Sequence, residues 1–217
     1  MRKLVLAILL LSVVYSYSQN KIILQSIHRD IPFDDNWLFI KDSTKDASAP
    51  FYNDSKWNRV ELPHDWSIDD LPNPIRDSIS GPFTKGSIGN FATGFTVGGT
   101  GWYRKKFRTG KSMPHKIISI QFDGVYMNAT VWLNGTLLGN HPYGYTPFYF
   151  DITPYLNPAG QQNVLAVKVS NEGKNSRWYS GSGIYRHVWL IETAPIHIAQ
   201  WGTYITTPDV SKEKATV

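Results

Sequence analysis

Four glutamates, Glu61, Glu172, Glu192 and Glu213, are the first residues to test for chemistry. Hydrolysis by a carboxylate pair needs a proton donor and a second acid ~5–5.5 Å or ~6.5–9.5 Å apart, depending on stereochemical course. These four lie far apart on different segments. Asp123 and Asp151 sit beside turns, where aspartate ordinarily accepts bonds from backbone N–H groups. No acid/base pair is legible in the spacing. Ser180-Gly181-Ser182-Gly183 lacks the G-x-S-x-G register of a nucleophile elbow. The glycines of 94–101 have neither the lysine nor the strand–helix context of a phosphate loop. His64-Asp65 has no partner motif at metal-ligand spacing and is expected to brace a loop through hydrogen bonds. What remains is recognition. In the run from Asn175 to Gly183 a guanidinium, Arg177, stands beside two rings, Trp178 and Tyr179. Planar donors beside an aromatic platform suit a ligand with hydroxyls on its rim and C–H bonds on its face. The same residues also fit a plug, in which Trp178 and Tyr179 close the end of the fold and Arg177 pairs with a carboxylate. Buried rings being common, the plug is the plainer reading of the chain alone.

The elements that must position these side chains are strands. Gln121–Tyr155 is the organising stretch: Met127, Ala129, Val131 and Leu133 alternate with Asn128, Thr130, Trp132 and Asn134. Asn134-Gly135 is a hairpin signal, Gly139 is expected to break the returning run, and Phe148 and Phe150 face away from Tyr149. The stretch therefore reads as a β-meander. Further strands are expected at Lys21–Ile27, around Val60 and Leu62, at Trp102–Phe107, at Ile118–Phe122, at Asn163–Val169 and at Ile184–Ile191. Asp42–Lys56 reads as a surface connection. Asp69–Gly101, with seven glycines between Gly81 and Gly101, reads as a long loop of the kind that is functional or mobile. No segment of ten or more residues carries a capped helical period. The fold class is all-β, an antiparallel sandwich.

Residues 1–18 have the basic, apolar and small-x-small parts of a signal peptide, so export to the periplasm or medium is expected. With Arg2 and Lys3 set aside, 20 basic residues face 17 acidic ones, a net of +3 without a basic block. With so weak a bias, neither nucleic acid nor an anionic membrane is the expected partner. There is no cysteine, hence no disulfide framework. Thr193-Ala194-Pro195 reads as an exit, and 196–217 as the first strands of a following module. The expected division is 1–18 signal peptide, 19–195 sandwich and 196–217 the beginning of a second sandwich.

FDGVYMNATVWLNGTLLGNHPYGYTPFYFDIT, then NVLAVKV and RWYSGSGIYRHVWL, resemble the N-terminal sugar-binding domain of glycoside hydrolase family 2. LPHDW (62–66), TGFTVGGTGWYRKKF (93–107) and ITTPDV (205–210) are similar to its bacterial β-galactosidase branch. The resemblance covers about Phe33 to Pro208. It implies a jelly-roll-like β-sandwich, then an immunoglobulin-like domain, then a (β/α)₈ barrel carrying the two catalytic glutamates of a retaining mechanism. It implies no cofactor for this domain, with a metal ion compatible with the barrel. The implied partners are a β-linked oligosaccharide or polysaccharide and the downstream domains, and a homo-oligomer is compatible with them. Loops of the first domain reach the barrel's pocket, and the one before S-G-I-Y-R maps here to Arg177–Tyr179. Arg177, Trp178, Tyr179 and Asn90 are thus the substrate-binding candidates. Arg177 and the Gly89–Thr100 loop are the better placed to reach substrate, and Trp178 and Ser182–Arg186 are the more structural. Some relatives carry an aspartate near this point, where this chain has Asn175 and Arg177. A stand-alone carbohydrate-binding or adhesive sandwich is the second reading, and the same domain of a β-glucuronidase or β-mannosidase a third. In every reading these residues alone are expected to be catalytically inactive.

Overall fold

The computed structural model of the protein describes residues 30–43, 46–69, 83, 86–110, 116–173 and 180–217. The expected strand at Lys21–Ile27 and the signal peptide lie outside them. The larger sheet holds β2 (Trp37–Lys41), β3 (Asn58–Val60), β4 (Gly99–Arg108), β6 (Ala129–Leu133), β7 (Thr136–His141) and β9 (Gln162–Asn171), in the order β3-β2-β4-β9-β6-β7. The smaller holds β1 (Asp30–Pro32), β5 (Ile117–Phe122), β8 (Phe148–Asp151) and β10 (Val188–Thr193), in the order β1-β10-β5-β8. Every pairing is antiparallel. The longest element among the described residues that is not a strand is one helical turn, Trp66–Asp69 or Asn90–Thr93. The all-β sandwich is what the molecule forms.

Alternation explains how the two sheets face each other. In β5, Ile118, Ile120 and Phe122 are buried, and in β6 Ala129, Val131 and Leu133 are. With Trp37, Phe39, Tyr103, Leu165, Val167, Phe148 and Val188 they make one core between the sheets. Apolar area withdrawn from water is the main stabilising term, at about 25 cal/mol per Å². Asn134 and Gly135, at φ of 52° and 83°, form the expected hairpin between β6 and β7. Asn134 also accepts from Val164 N–H at 2.9 Å through its side chain, which ties the turn to β9.

Four expectations need correction. The stretch 121–155 is not a meander within one sheet: β6 and β7 belong to the larger sheet, while β8 crosses to pair with β5 in the smaller. Gly139 does not break β7. Val131 faces Gly139 and Trp132 faces Leu137, so Leu138 is the extra residue of a bulge, packed on the core. Phe150 occupies the space above Gly139, where a Cβ would lie 2.7 Å from its ring. The strand expected from Ile184 begins only at Val188.

The last correction concerns the connection Asp42–Lys56, which lies against β4, a strand buried on both faces. The outer side of β4 carries Trp102, stacked on Trp132 at 5.3 Å and packed with Ala47 and Trp57 in a second small core. Asp42–Lys56 is therefore more than a surface connection, because its residues from Asp46 onward, continued by Trp57, cover this face. Arg104, fully buried, donates through Nε to Asp54 at 2.9 Å and through its terminal nitrogens to the carbonyls of Ala47, Ala49 and Pro50. Lys106 reaches the other Asp54 oxygen at 2.6 Å. Desolvation pushes the Asp54 carboxyl up, but the bonds and charges of Lys106 and Arg104 outweigh it and hold the group below its ordinary range.

Residues 196–217 carry one small hairpin, β11 (Asp209–Val210) with β12 (Ala215–Thr216), and are almost wholly exposed. Trp201 touches the smaller sheet, edge-on to Tyr149 at 5.3 Å.

Candidate functional site

Segments from three sides converge on Ser180–Arg186. From one side comes LPHDW: His64 N–H donates to Ile184 O at 2.9 Å and Trp66 N–H to Ser182 O at 3.0 Å. Asp65 Oδ1 accepts from the Ser182 and Ser67 N–H groups at 2.8 and 2.9 Å. The His64–Asp65 brace expected from sequence is what forms. His64 Nδ1 lies 2.7 Å from the Tyr103 hydroxyl, and its ring packs 4.6 Å from that of Phe39. From a second side, Tyr126 and Gly183 exchange both backbone bonds at 2.9 Å. From the third, Asn171 Nδ2 donates to Ser182 Oγ at 2.8 Å, which in turn donates to Val97 O at 3.0 Å. Gly181 and Gly183 are needed because a Cβ would meet Asp65 Oδ2 at 2.0 Å and Tyr103 Oη at 2.4 Å.

Of the four candidates, Arg177, Trp178 and Tyr179 lie outside the described residues, between Gly173 and this braced segment. Asn90 is described. It is exposed, has φ of +50°, and opens the single turn Asn90–Thr93, with its carbonyl accepting from Phe95 N–H at 2.9 Å. Beside it Phe91 is 76% exposed, so the tip of the loop presents a ring to solvent. A Cβ on Gly89 would fall 2.7 Å from Gly173 O. That close approach brings the Asn90 loop against the residue that leads into the Arg177 segment. The Asn90 loop and Gly173 thus meet beside the paired ends of β4 and β9, where Gly99 faces Asn171.

A cleft of about 430 Å³ opens at the same place, lined by Lys41, Asp42, Ser87, Gly98, Thr100 and Glu172 among others. Glu172 accepts from the Thr100 hydroxyl. Sequence reading missed this cleft, because only the β2–β4 and β4–β9 registers bring Lys41 and Glu172 to one edge. A hydroxyl, carboxylates and an ammonium around a small cleft can share hydrogen bonds with a polyol.

Among the described residues the other carboxylates do not assemble a hydrolytic pair. Glu61 accepts from Asn36 N–H, Glu192 pairs with Lys116 at 2.8 Å, and Glu213 accepts from Ser211. Asp151 bonds Thr153 N–H, as expected beside a turn. Asp123 instead accepts from the Trp189 indole and the Gln121 amide, both at 2.7 Å. Among the described residues no three His, Cys, Asp or Glu side chains are grouped to hold a metal ion.

Residues 32–194 match the family model described as glycosyl hydrolases family 2, sugar binding domain. The chain belongs to glycosyl hydrolase family 2. It is 46% identical over 184 residues to the β-galactosidase BoGH2A of Bacteroides ovatus, covering 84% of this chain and 20% of that protein. To a putative β-glucuronidase of Formosa agariphila it is 38% identical over 213 residues, covering 98% of this chain and 19% of the other. A solved glycosyl hydrolase family 2 member from Bacteroides cellulosilyticus superposes with a TM-score of 0.77 at 47% identity, over 87% of this chain and 24% of that one. The chain spans about a fifth of the length of the curated relatives it matches. What it supplies of the family is the sugar-binding sandwich.

Proposed function

We propose that the protein is an exported β-galactosidase of family 2, and that these residues are the sandwich whose loops complete its sugar pocket. The two glutamates of a retaining mechanism would come from a barrel outside these residues, and 196–217 would open an immunoglobulin-like domain between the two. The observation that carries this reading is the 46% identity over 84% of the chain to a β-galactosidase. The meeting of the Asn90 loop with Gly173 supports it, since that loop then presents Phe91 to solvent from the paired edge of β4 and β9. The 38% identity across 98% of the chain to a putative β-glucuronidase favours a second reading, in which the sugar carries a carboxylate.

Hydrolysis of 4-nitrophenyl β-galactoside and β-glucuronide by the full-length protein separates the two. The galactoside is expected to show the higher kcat/KM, and a preference for the glucuronide would sink the first reading. Arg177→Ala in that protein should lower kcat/KM about 10- to 100-fold, the worth of one hydrogen bond from a charged group. An unchanged value would remove Arg177 from the pocket.

A further inference from the structure

We propose that Tyr143, Tyr145, Tyr185 and Arg186 form a second carbohydrate-binding surface, which grips a β-linked glycan chain through ring faces and phenol hydroxyls. Tyr143 and Tyr145 are 55% and 49% exposed, and their rings meet edge-to-face at 5.6 Å. Tyr145 continues the contact to Tyr126 at 5.3 Å, and Arg186 holds its guanidinium 5.7 Å from the Tyr185 ring. Four tyrosines from three segments therefore stand together, and two leave about half their surface in water.

The surface is rigid. The Tyr185 hydroxyl donates to Gly144 O at 2.9 Å, and Gly144 lies so close on Tyr126 that a Cβ would sit 2.2 Å from its ring. His141 Nε2 lies 3.0 Å from Thr146 Oγ1, which closes the base of the loop. Rings held in place lose little freedom when a ligand arrives, so their contact area converts efficiently to affinity. Burial keeps the Tyr145 and Tyr185 phenols above their ordinary range, so both stay protonated. The Tyr185 proton goes to Gly144 O, which leaves the phenol oxygen to accept from a sugar hydroxyl.

The chemistry favours sugar over protein as the occupant. In segments 141–147 and 183–186 no Leu, Ile, Val or Met side chain is exposed, Ile184 being fully buried. Ring faces edged by hydroxyls and one guanidinium match a pyranose, whose C–H face is apolar and whose rim is all hydroxyl. The matched family model is itself a sugar-binding domain.

The choice of glycan rests on the proposed β-galactosidase reading, and the surface is tested apart from it. Native electrophoresis of the full-length protein through gels containing β-1,4-galactan or hydroxyethylcellulose reads binding without turnover of a small substrate. Retardation by at least one polymer is expected. Tyr143→Ala/Tyr145→Ala should weaken it about tenfold or more, while Arg177→Ala leaves it in place. Melting temperature and elution volume are recorded for each variant. If the double variant melts early, Tyr143→Ser and Arg186→Gln replace it, since both side chains are exposed. Unretarded wild-type protein, or retardation that survives the tyrosine substitutions, overturns the proposal. So does a change of oligomeric state in the double variant, which would make the surface a contact between copies. Failure to hydrolyse nitrophenyl galactoside would sink the proposed activity and leave the gel result standing.

Discussion

Asp54→Ala is expected to lower folding stability by about 3–5 kcal/mol, the cost of leaving a buried charge without its partner. Arg104 is fully buried on the outer face of β4, and Asp54 supplies its only side-chain carboxylate among the described residues. The strap that carries Asp54 also carries the three carbonyls that Arg104 bonds. Removing the carboxylate leaves the guanidinium out of water with neutral acceptors only. Arg104→Ala should cost at least as much, because Asp54 and those carbonyls all lose a donor. Lys106→Ala should cost far less, since its side chain is 41% exposed and its pair is screened by solvent. Chemical denaturation of the three variants is the measurement, and a loss below about 1 kcal/mol for Asp54→Ala would contradict the account.

The same pair gives a pH dependence. The folded Asp54 carboxyl sits below its ordinary range, so its contribution is complete above the unfolded value of about 3.9 and fades as pH falls through the lower folded value. Wild-type stability should therefore drop in acid more steeply than that of Asp54→Ala. Parallel curves below about pH 4 would exclude the linkage.

Gly183→Ala should be the most damaging small substitution near the site. At φ of +134° an L residue is strained, and the new Cβ would lie 2.4 Å from Tyr103 Oη and 2.6 Å from His64 O. The second neighbour is backbone, anchored where His64 N–H bonds Ile184 O, and has no rotamer to escape into. Gly160→Ala is the control. Its φ is +83° with no atom within 4 Å of the new Cβ, so only the backbone cost of about 1–2 kcal/mol applies. Gly183→Ala should cost about 1–3 kcal/mol more than that from overpacking alone. It should also lower the activity of the full-length protein, because the Tyr126–Gly183 bridge fixes the segment that follows Arg177–Tyr179. Equal melting temperatures for the two variants would show that the segment yields, and the brace would lose its role.

The strands whose two faces see different solvents were legible in the sequence. Ile118, Ile120 and Phe122, and Ala129, Val131 and Leu133, announce their buried side by period alone, and Asn134-Gly135 announces its turn by tolerating positive φ. These are local signals, set by what each residue does with its neighbours one to four positions away. The His64–Asp65 brace was legible as a brace and not in its partners, since Ser182 is more than a hundred positions away. Which sheet β8 joins, the double burial of β4 and the covering strap at 46–57 were not legible. Trp102 and Arg104 are buried only because Asp54 and Trp57, about fifty positions away, arrive to cover them. The cleft at Lys41 and Glu172 and the tyrosine surface depend likewise on contacts between distant segments. Sequence by itself determined the class of fold, the family and the residue types available to a sugar. Tertiary structure alone decided which of those residues stand together, because strand register and sheet choice are fixed by the packing energy of the whole core and not by any single segment.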